Sequence, residues 1–225
     1  MKKFAVITAG GSGSRMGSDL PKQFMLLNNK PVLWHTLKAF LAAFADLHFI
    51  LVLPAAYMEA GADLLKELAI TEQSVLVEGG STRFYSVQKG LAKVTEESVV
   101  FVHDGVRCLI SPELIIKCYH QTLERGSAIP AVASTESVRI IHNNTHQPVN
   151  RNEVRIIQTP QTFKSSILLP AFQQEYQESF TDEATVVEAG GTGVFLIDGE
   201  YQNLKITRPV DLVIAATILK ERALG

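Results

Sequence analysis

A chain of 225 residues, 46% hydrophobic and 20% charged, suits one α/β domain with a substantial core and excludes a disordered or fibrous protein. A formal net charge of −2 excludes a broad basic face for nucleic acid or membrane, while leaving room for a local basic pocket. Two cysteines, Cys108 and Cys118, make neither a disulfide framework nor a zinc motif.

Met1-Lys2-Lys3 precedes an apolar run of about five residues, short of the roughly 7–15 of a signal peptide, and no run approaches the ~20 that span a bilayer. The expectation is a soluble protein of the reducing cytoplasm, without nucleic-acid or membrane partners.

In chain order, Lys3–Thr8 (KFAVIT) predicts a buried strand and Pro31–Phe44 a helix with Pro31 at its first position. His48–Leu53 is a second strand, ended by Pro54, and residues 55–69 a helix. Ser74–Val77 is a third strand, Ser81–Val94 a helix capped by Ser81, Ser98–His103 a fourth strand and Ser111–Arg125 another helix. Apolar strands alternating with helices imply a Rossmann-like, mostly parallel sheet covered on both faces. Residues 134–150 (STESVRIIHNNTHQPVN) differ: a β-branched run and a turn-like Asn143-Asn144 predict a two-stranded arm leaving the domain. An isolated hairpin is marginal in water, so such an arm calls for something to pack on, often a second subunit. Strand Arg155–Gln158, helices Lys164–Gln177 and Asp182–Ala189, strand Gly193–Ile197 and helix Pro209–Arg222 complete one domain spanning residues 1–225.

The first strand runs into Thr8-Ala9-Gly10-Gly11-Ser12-Gly13-Ser14-Arg15-Met16-Gly17. Glycines there let backbone amides approach an anion, and loops at the carboxyl ends of parallel strands are where such sheets bind ligands. The G-x-x-x-x-G-K-[ST] phosphate loop is absent, and G-x-G-x-x-G fails because Met16 stands in place of the last glycine. Arg15 and Lys22, the latter in Leu20-Pro21-Lys22-Gln23-Phe24, flank the loop. Two cations beside such a turn suit a triphosphate, neutralising charge as pyrophosphate leaves.

TAGGSGSRMG and LPKQF resemble the signature of sugar-phosphate nucleotidyltransferases. EGGSTRFYSV (78–87), HDGVRC (103–108), RNEVRIIQTPQTF (151–163), FTDEA (180–184) and NLKITRPVDL (203–212) follow in order. Over nearly the whole chain they resemble the 2-C-methyl-D-erythritol 4-phosphate cytidylyltransferase family, which joins CMP from CTP to that polyol phosphate in non-mevalonate isoprenoid synthesis. Ribitol 5-phosphate cytidylyltransferases carry similar motifs, so the acceptor stays open between the two.

The resemblance implies roles for individual residues. Ala9, Gly10, Gly11 and Gly13 would hold the triphosphate and base, and Gly80, Ser81 and Ser86 the cytosine and ribose. Arg15 and Lys22 match stabilisers of the transition state, and Lys205 a second essential lysine. Asp104 and Arg107 would lie near the acceptor; Ser137, Arg151 and Thr159 would hold it. It also implies Mg²⁺ bridging the CTP phosphates, and a homodimer whose arms cross so that Ser137 and Arg151 reach the neighbour's acceptor site. Cys108 replaces an expected proline, and Ser137 a usual threonine whose hydroxyl it retains.

Read without the resemblance, Asp104 could cap the turn after its strand, Arg83 reads as an ion-pair or packing residue, and Lys205 as a surface charge. Thr181 reads as a helix cap, with Asp182 left open. The six histidines show no metal-ligand spacing.

Overall fold

The computed structural model describes residues 1–11 and 20–224. Four strands of alternating apolar residues form its centre: β1 (Lys2–Thr8), followed after two short paired strands, β2 (Leu26–Leu27) and β3 (Lys30–Pro31), and helix α1 (Val32–Ala43), by β4 (His48–Leu53). Helix α2 (Met58–Glu67) leads to β5 (Ser74–Glu78), and α3 (Arg83–Leu91) to β6 (Ser98–Asp104). β6, β1, β4 and β5 lie side by side and parallel. Side chains on successive residues of these strands point to opposite faces. Ala5, Ile7, Phe49, Leu51, Val99 and Phe101 therefore pack under α1 and α2 with helix α4 (Pro112–Arg125). Phe4, Val6, Ile50, Val52, Val100 and Val102 pack on the other face, under α3.

Beyond β6 the sheet becomes mixed. β7 (Ser127–Ala133) is followed by β8 (Val138–His142), β9 (Thr145–Val149), β10 (Arg155–Ile157) and β11 (Gln161–Lys164). β11 runs antiparallel to β6 and pairs with β7 at Ser127–Ala128, while β10 pairs with β7 at Ala131–Ala133. Helices α5 (Ser165–Ala171) and α6 (Glu183–Ala189), strand β12 (Leu196–Asp198), which pairs with β7, and helix α7 (Pro209–Leu224) complete the chain. No described helix is long and apolar enough to cross a membrane.

β8 and β9 pair only with each other, so the expected arm is present as a separate two-stranded sheet. Asn143 and Asn144 both have positive φ, 43° and 63°, the signature of a type I′ hairpin turn. Ile140 and Ile141 on it are exposed.

Several elements differ from the sequence expectation. Strands β7 and β11 were not anticipated. Pro130 sits inside β7 and argues against a strand, yet its carbonyl still accepts the Gln158 N–H at 2.8 Å between the two paired stretches. The helix expected over 164–177 starts only after β11 and stops at Ala171, where the Gln174 side chain donates to the Ala171 carbonyl. Pro31 caps α1 from outside instead of opening it. The cap of α3 is Thr82, whose hydroxyl accepts the Tyr85 N–H; Ser81 lies one residue outside. The cap of α6 is Asp182, not Thr181: its carboxylate accepts the Thr185 N–H, and the Thr185 hydroxyl returns the favour at the Asp182 N–H.

Candidate active site

The carboxyl ends of β1, β5 and β6 meet around a cavity of about 300 Å³. The end of β1 supplies Ala9, Gly10 and Gly11, the turn after β5 supplies Gly80 and Ser81, and the end of β6 supplies Asp104. Lys22, Arg83, Ser86 and Lys205 complete the charged and polar wall. Gly13 and Arg15 lie outside the described residues.

Two local devices shape the glycine-lined side of the cavity. The 3-10 turn Lys22–Phe24 buries Phe24, which stacks on Tyr57 with ring centroids 5.1 Å apart, and this holds Lys22 at the cavity mouth. Next to it, the buried Gln23 amide donates to the carbonyls of Ala9 and Gly11, at 2.6 and 3.4 Å. The start of the glycine loop is thus held by a side chain fourteen residues on. Around the β5 turn, Ser86 accepts the Gly80 N–H at 3.0 Å and donates to the Thr82 carbonyl at 2.9 Å. Lys89 donates to the Gly79 carbonyl at 2.9 Å. Gly80 has to be glycine: a Cβ there would stand 2.4 Å from the Tyr85 Cβ. Ser86, expected at the nucleoside, is buried and spends its hydroxyl on tying this turn, while still lining the cavity.

The opposite wall is a chain of charges. Asp104, buried at the end of β6, faces three cations: Arg83 and Arg107, each at 3.4 Å, and Lys205 at 2.9 Å. Burial would raise its pKa, but Arg83, Lys205 and Arg107 outweigh that and hold the carboxyl well below the usual carboxylate range. Arg83 is also gripped by the fully buried Glu183, at 2.5 and 3.0 Å. Burial works against the Arg83 charge, yet Glu183 and Asp104 together hold its pKa above normal. Lys205 is delivered by an extended segment without regular strand pairing: the Ile206 N–H donates to the Val106 carbonyl at 2.9 Å. Arg107 anchors the same segment, donating to the Asn203 carbonyl at 2.8 Å.

Thr159 lies beneath this wall, not on it. Its hydroxyl accepts the Asp104 N–H at 3.1 Å and meets His103 Nδ1 at 3.0 Å, while His103 Nε2 meets the Arg107 carbonyl at 3.2 Å. One consistent pattern serves all three: Thr159 donates to Nδ1, and a neutral imidazole donates from Nε2. Burial pushes the His103 pKa down to about 3, in keeping with a neutral ring.

The structure therefore brings together, from the sequence expectations, Ala9, Gly10, Gly11, Lys22, Gly80, Ser81, Ser86, Asp104 and Lys205. It puts Arg107 and Thr159 just behind them. Ser137 and Arg151 stand apart: both are exposed at the root of the arm, where Arg151 donates to the Thr135 carbonyl at 3.4 Å. Sequence reasoning missed Gln23 and Glu183. Gln23 gives no signal, and Glu183, an acidic residue in the first turn of a helix, gives none beyond a favourable helix-dipole position because its partner is 100 positions away. Arg83 was read as an ion-pair residue, which it is, but it also lines the cavity.

A family model described as 2-C-methyl-D-erythritol 4-phosphate cytidylyltransferase matches residues 4–221. Proteins of that name from Phocaeicola vulgatus and Bacteroides thetaiotaomicron are 42% and 43% identical over 219 residues, covering 97% of this chain and all of each relative. The fold matches the crystal structure of 4-diphosphocytidyl-2C-methyl-D-erythritol synthase from Anaerococcus prevotii with a TM-score of 0.83 at 29% identity, covering 97% of this chain and 99% of the other. A cytidylyltransferase structure from Francisella tularensis gives 0.79 at 30% identity, with 96% and 98% covered.

Proposed function

This chain belongs to the 2-C-methyl-D-erythritol 4-phosphate cytidylyltransferase family, and on that premise we propose how its cavity carries out the reaction. The enzyme transfers CMP from CTP to 2-C-methyl-D-erythritol 4-phosphate in non-mevalonate isoprenoid precursor synthesis. A phosphate oxygen of the acceptor attacks the α-phosphorus of CTP. A new P–O bond forms, the bond to the oxygen bridging the β-phosphorus breaks, and pyrophosphate leaves. A phosphate monoester has its second pKa near about 6, so the attacking oxygen needs no general base. The protein's task is to bring two polyanions together and stabilise the crowded phosphorus.

The observation that carries this reading is the division of the cavity: glycine-rich turns on one wall, and the Arg83–Asp104–Lys205 chain of charges on the other. Ala9, Gly10, Gly11 and Gly13 hold the triphosphate and base; Gly80 and Ser81 face the nucleoside, with Ser86 keeping their turn in place. Arg15 and Lys22 stabilise charge that grows on the phosphates. Lys205 and Asp104 receive the acceptor, with Arg107 and Thr159 bracing Asp104 from behind.

Mg²⁺ would be carried in by the CTP phosphates rather than by protein ligands, and would supply neutralisation of phosphate charge there. Among the described residues no group of three or more His, Cys, Asp or Glu could hold a metal ion. The cavity carboxylate Asp104 is already held by three cations, so these residues do not make a resident metal site.

The enzyme is further proposed to be a cytoplasmic homodimer with shared sites. The exposed arm, carrying Ile140 and Ile141 outward, would cross to the partner and bring Ser137 and Arg151 to the partner's acceptor side. The test is pyrophosphate release with each of the four nucleoside triphosphates against methylerythritol phosphate and ribitol 5-phosphate. Preference for CTP with methylerythritol phosphate is expected. Purines should fail on size, and UTP because it lacks the cytosine amino group. Equal use of ATP would refute the base assignment.

A further inference from the structure

Glu183 opens helix α6 and is fully buried, yet both carboxylate oxygens are taken by the terminal nitrogens of Arg83, at 2.5 and 3.0 Å. The third Arg83 contact leaves from a different atom: Nε reaches Asp104 at 3.4 Å. We propose that Glu183 is a positioning residue for the transfer, holding Arg83 as a fixed cation in the wall between the nucleotide side and the acceptor side of the cavity.

Stability does not account for this pair. A buried ion pair contributes little over an apolar pair of similar volume, because desolvation offsets the attraction. What it does supply is orientation. A guanidinium has five N–H groups in one plane; three are directed at Glu183 and Asp104, which leaves two for the cavity that Arg83 lines. Its position is informative. Arg83 follows the Gly80–Thr82 turn on one wall of the cavity and touches Asp104 on the other, so it lies between the groups proposed to hold the nucleotide and the acceptor.

Glu183 also governs how Asp104 is shared. Lys205 holds Asp104 at 2.9 Å, whereas Arg83 stays at 3.4 Å because its terminal nitrogens are committed elsewhere. Without the Glu183 charge, Asp104 becomes the sole anion within reach of Arg83 among these contacts. Arg83 would close on the Asp104 Oδ1 that it already meets, opposite the Oδ2 that Lys205 and Arg107 share, and so withdraw from the cavity. Loss of one negative charge would therefore lower turnover while adding net positive charge to the wall. A simple count of charges around polyanionic substrates points the other way.

The inference rests on the cytidylyl transfer, so wild-type pyrophosphate release from CTP and methylerythritol phosphate is measured first, and its absence would count against the reaction itself. With that established, E183Q, R83M and the double variant R83M/E183Q are compared in thermal midpoint, kcat and KM. E183Q is expected to lose about 10- to 100-fold in kcat while its KM for CTP moves by less than about threefold. R83M should show a similar loss, and R83M/E183Q no greater loss than R83M alone, because Glu183 acts through Arg83. An E183Q enzyme that turns over within about twofold of wild type would overturn the proposal. So would a double variant whose loss is the product of the single losses. If E183Q fails to fold, E183D carries the test, since it keeps the buried charge paired with Arg83 while drawing the carboxylate back by one methylene. A normal thermal midpoint with a 10- to 100-fold loss of kcat would support the positioning role, and near-wild-type turnover would refute it.

Discussion

Replacing Gly80 by alanine tests the nucleotide wall most directly. The new Cβ would stand 2.4 Å from the Tyr85 Cβ and 2.9 Å from the Tyr85 carbonyl carbon, both atoms of the first turn of α3. Neither is the free end of a flexible side chain, so the turn itself has to move, by about 1 Å, to reach ordinary carbon–carbon separation. That movement pulls on the 3.0 Å bond from the Gly80 N–H to Ser86. Overpacking costs about 1–3 kcal/mol and the hydrogen bond about 1 more. For a chain of this size the thermal midpoint should fall by roughly 5–15 °C. A displacement of this size at a binding surface should lower kcat/KM for CTP by about 10²-fold. The measurements are a thermal melt and initial rates of pyrophosphate release over a range of CTP concentrations. Gly193→Ala is the control, because a Cβ there meets nothing within 4 Å. A Gly80→Ala enzyme that melts with wild type and keeps its kcat/KM would refute the close-approach argument and remove this turn from the nucleotide site.

Other outcomes follow from the same geometry. Lys22→Ala should lose about 10² or more in kcat with a much smaller change in CTP affinity, as steady-state kinetics with a binding titration would show; near-normal turnover removes Lys22 from the mechanism. If Arg151 serves the partner's site, inactive Lys22→Ala and Arg151→Ala dimers refolded together should recover roughly a quarter of wild-type activity, because about half the dimers are hybrids with one intact site each. No recovery in a mixture shown to contain hybrids rules out the shared site. Stability should also fall in acid. His103 titrates at about 3 when folded and near 6.5 when unfolded, so between those values the unfolded chain binds the extra proton. Its contribution is complete above pH 6.5 and declines toward pH 3 by about 1.4 kcal/mol per pH unit. Asp104, depressed by its cations, adds a further loss below the ordinary aspartate range. Denaturant melts from pH 7.5 to 4 would show this slope, and a flat profile would contradict the neutral buried imidazole.

The four parallel strands were legible in the sequence because each is a short apolar run, buried on both faces in β1, β4 and β6 and half-buried at the edge strand β5, and hydrophobicity is a local property. The arm was legible for the opposite reason: β-branched residues without core partners, closed by two asparagines that tolerate positive φ. That the start of the glycine loop and Lys22 would share one site was legible from residue type and spacing, and both line the cavity. The mixed edge of the sheet was not legible, since β7 contains a proline and β11 is only four residues long, and both become strands through pairing with partners distant in sequence. The same holds for the charged wall. Glu183 and Arg83 lie 100 residues apart, Arg107 and the Asn203 carbonyl 96, and Asp104 and Thr159 55. No window along the chain contains both members of any of these pairs. Sequence by itself determined which chemical groups were available and that a mostly parallel sheet would carry them. Tertiary structure alone decided which cations share Asp104, which carboxylate fixes Arg83, and that Thr159 braces the wall from below, because those relations depend on distances that folding creates.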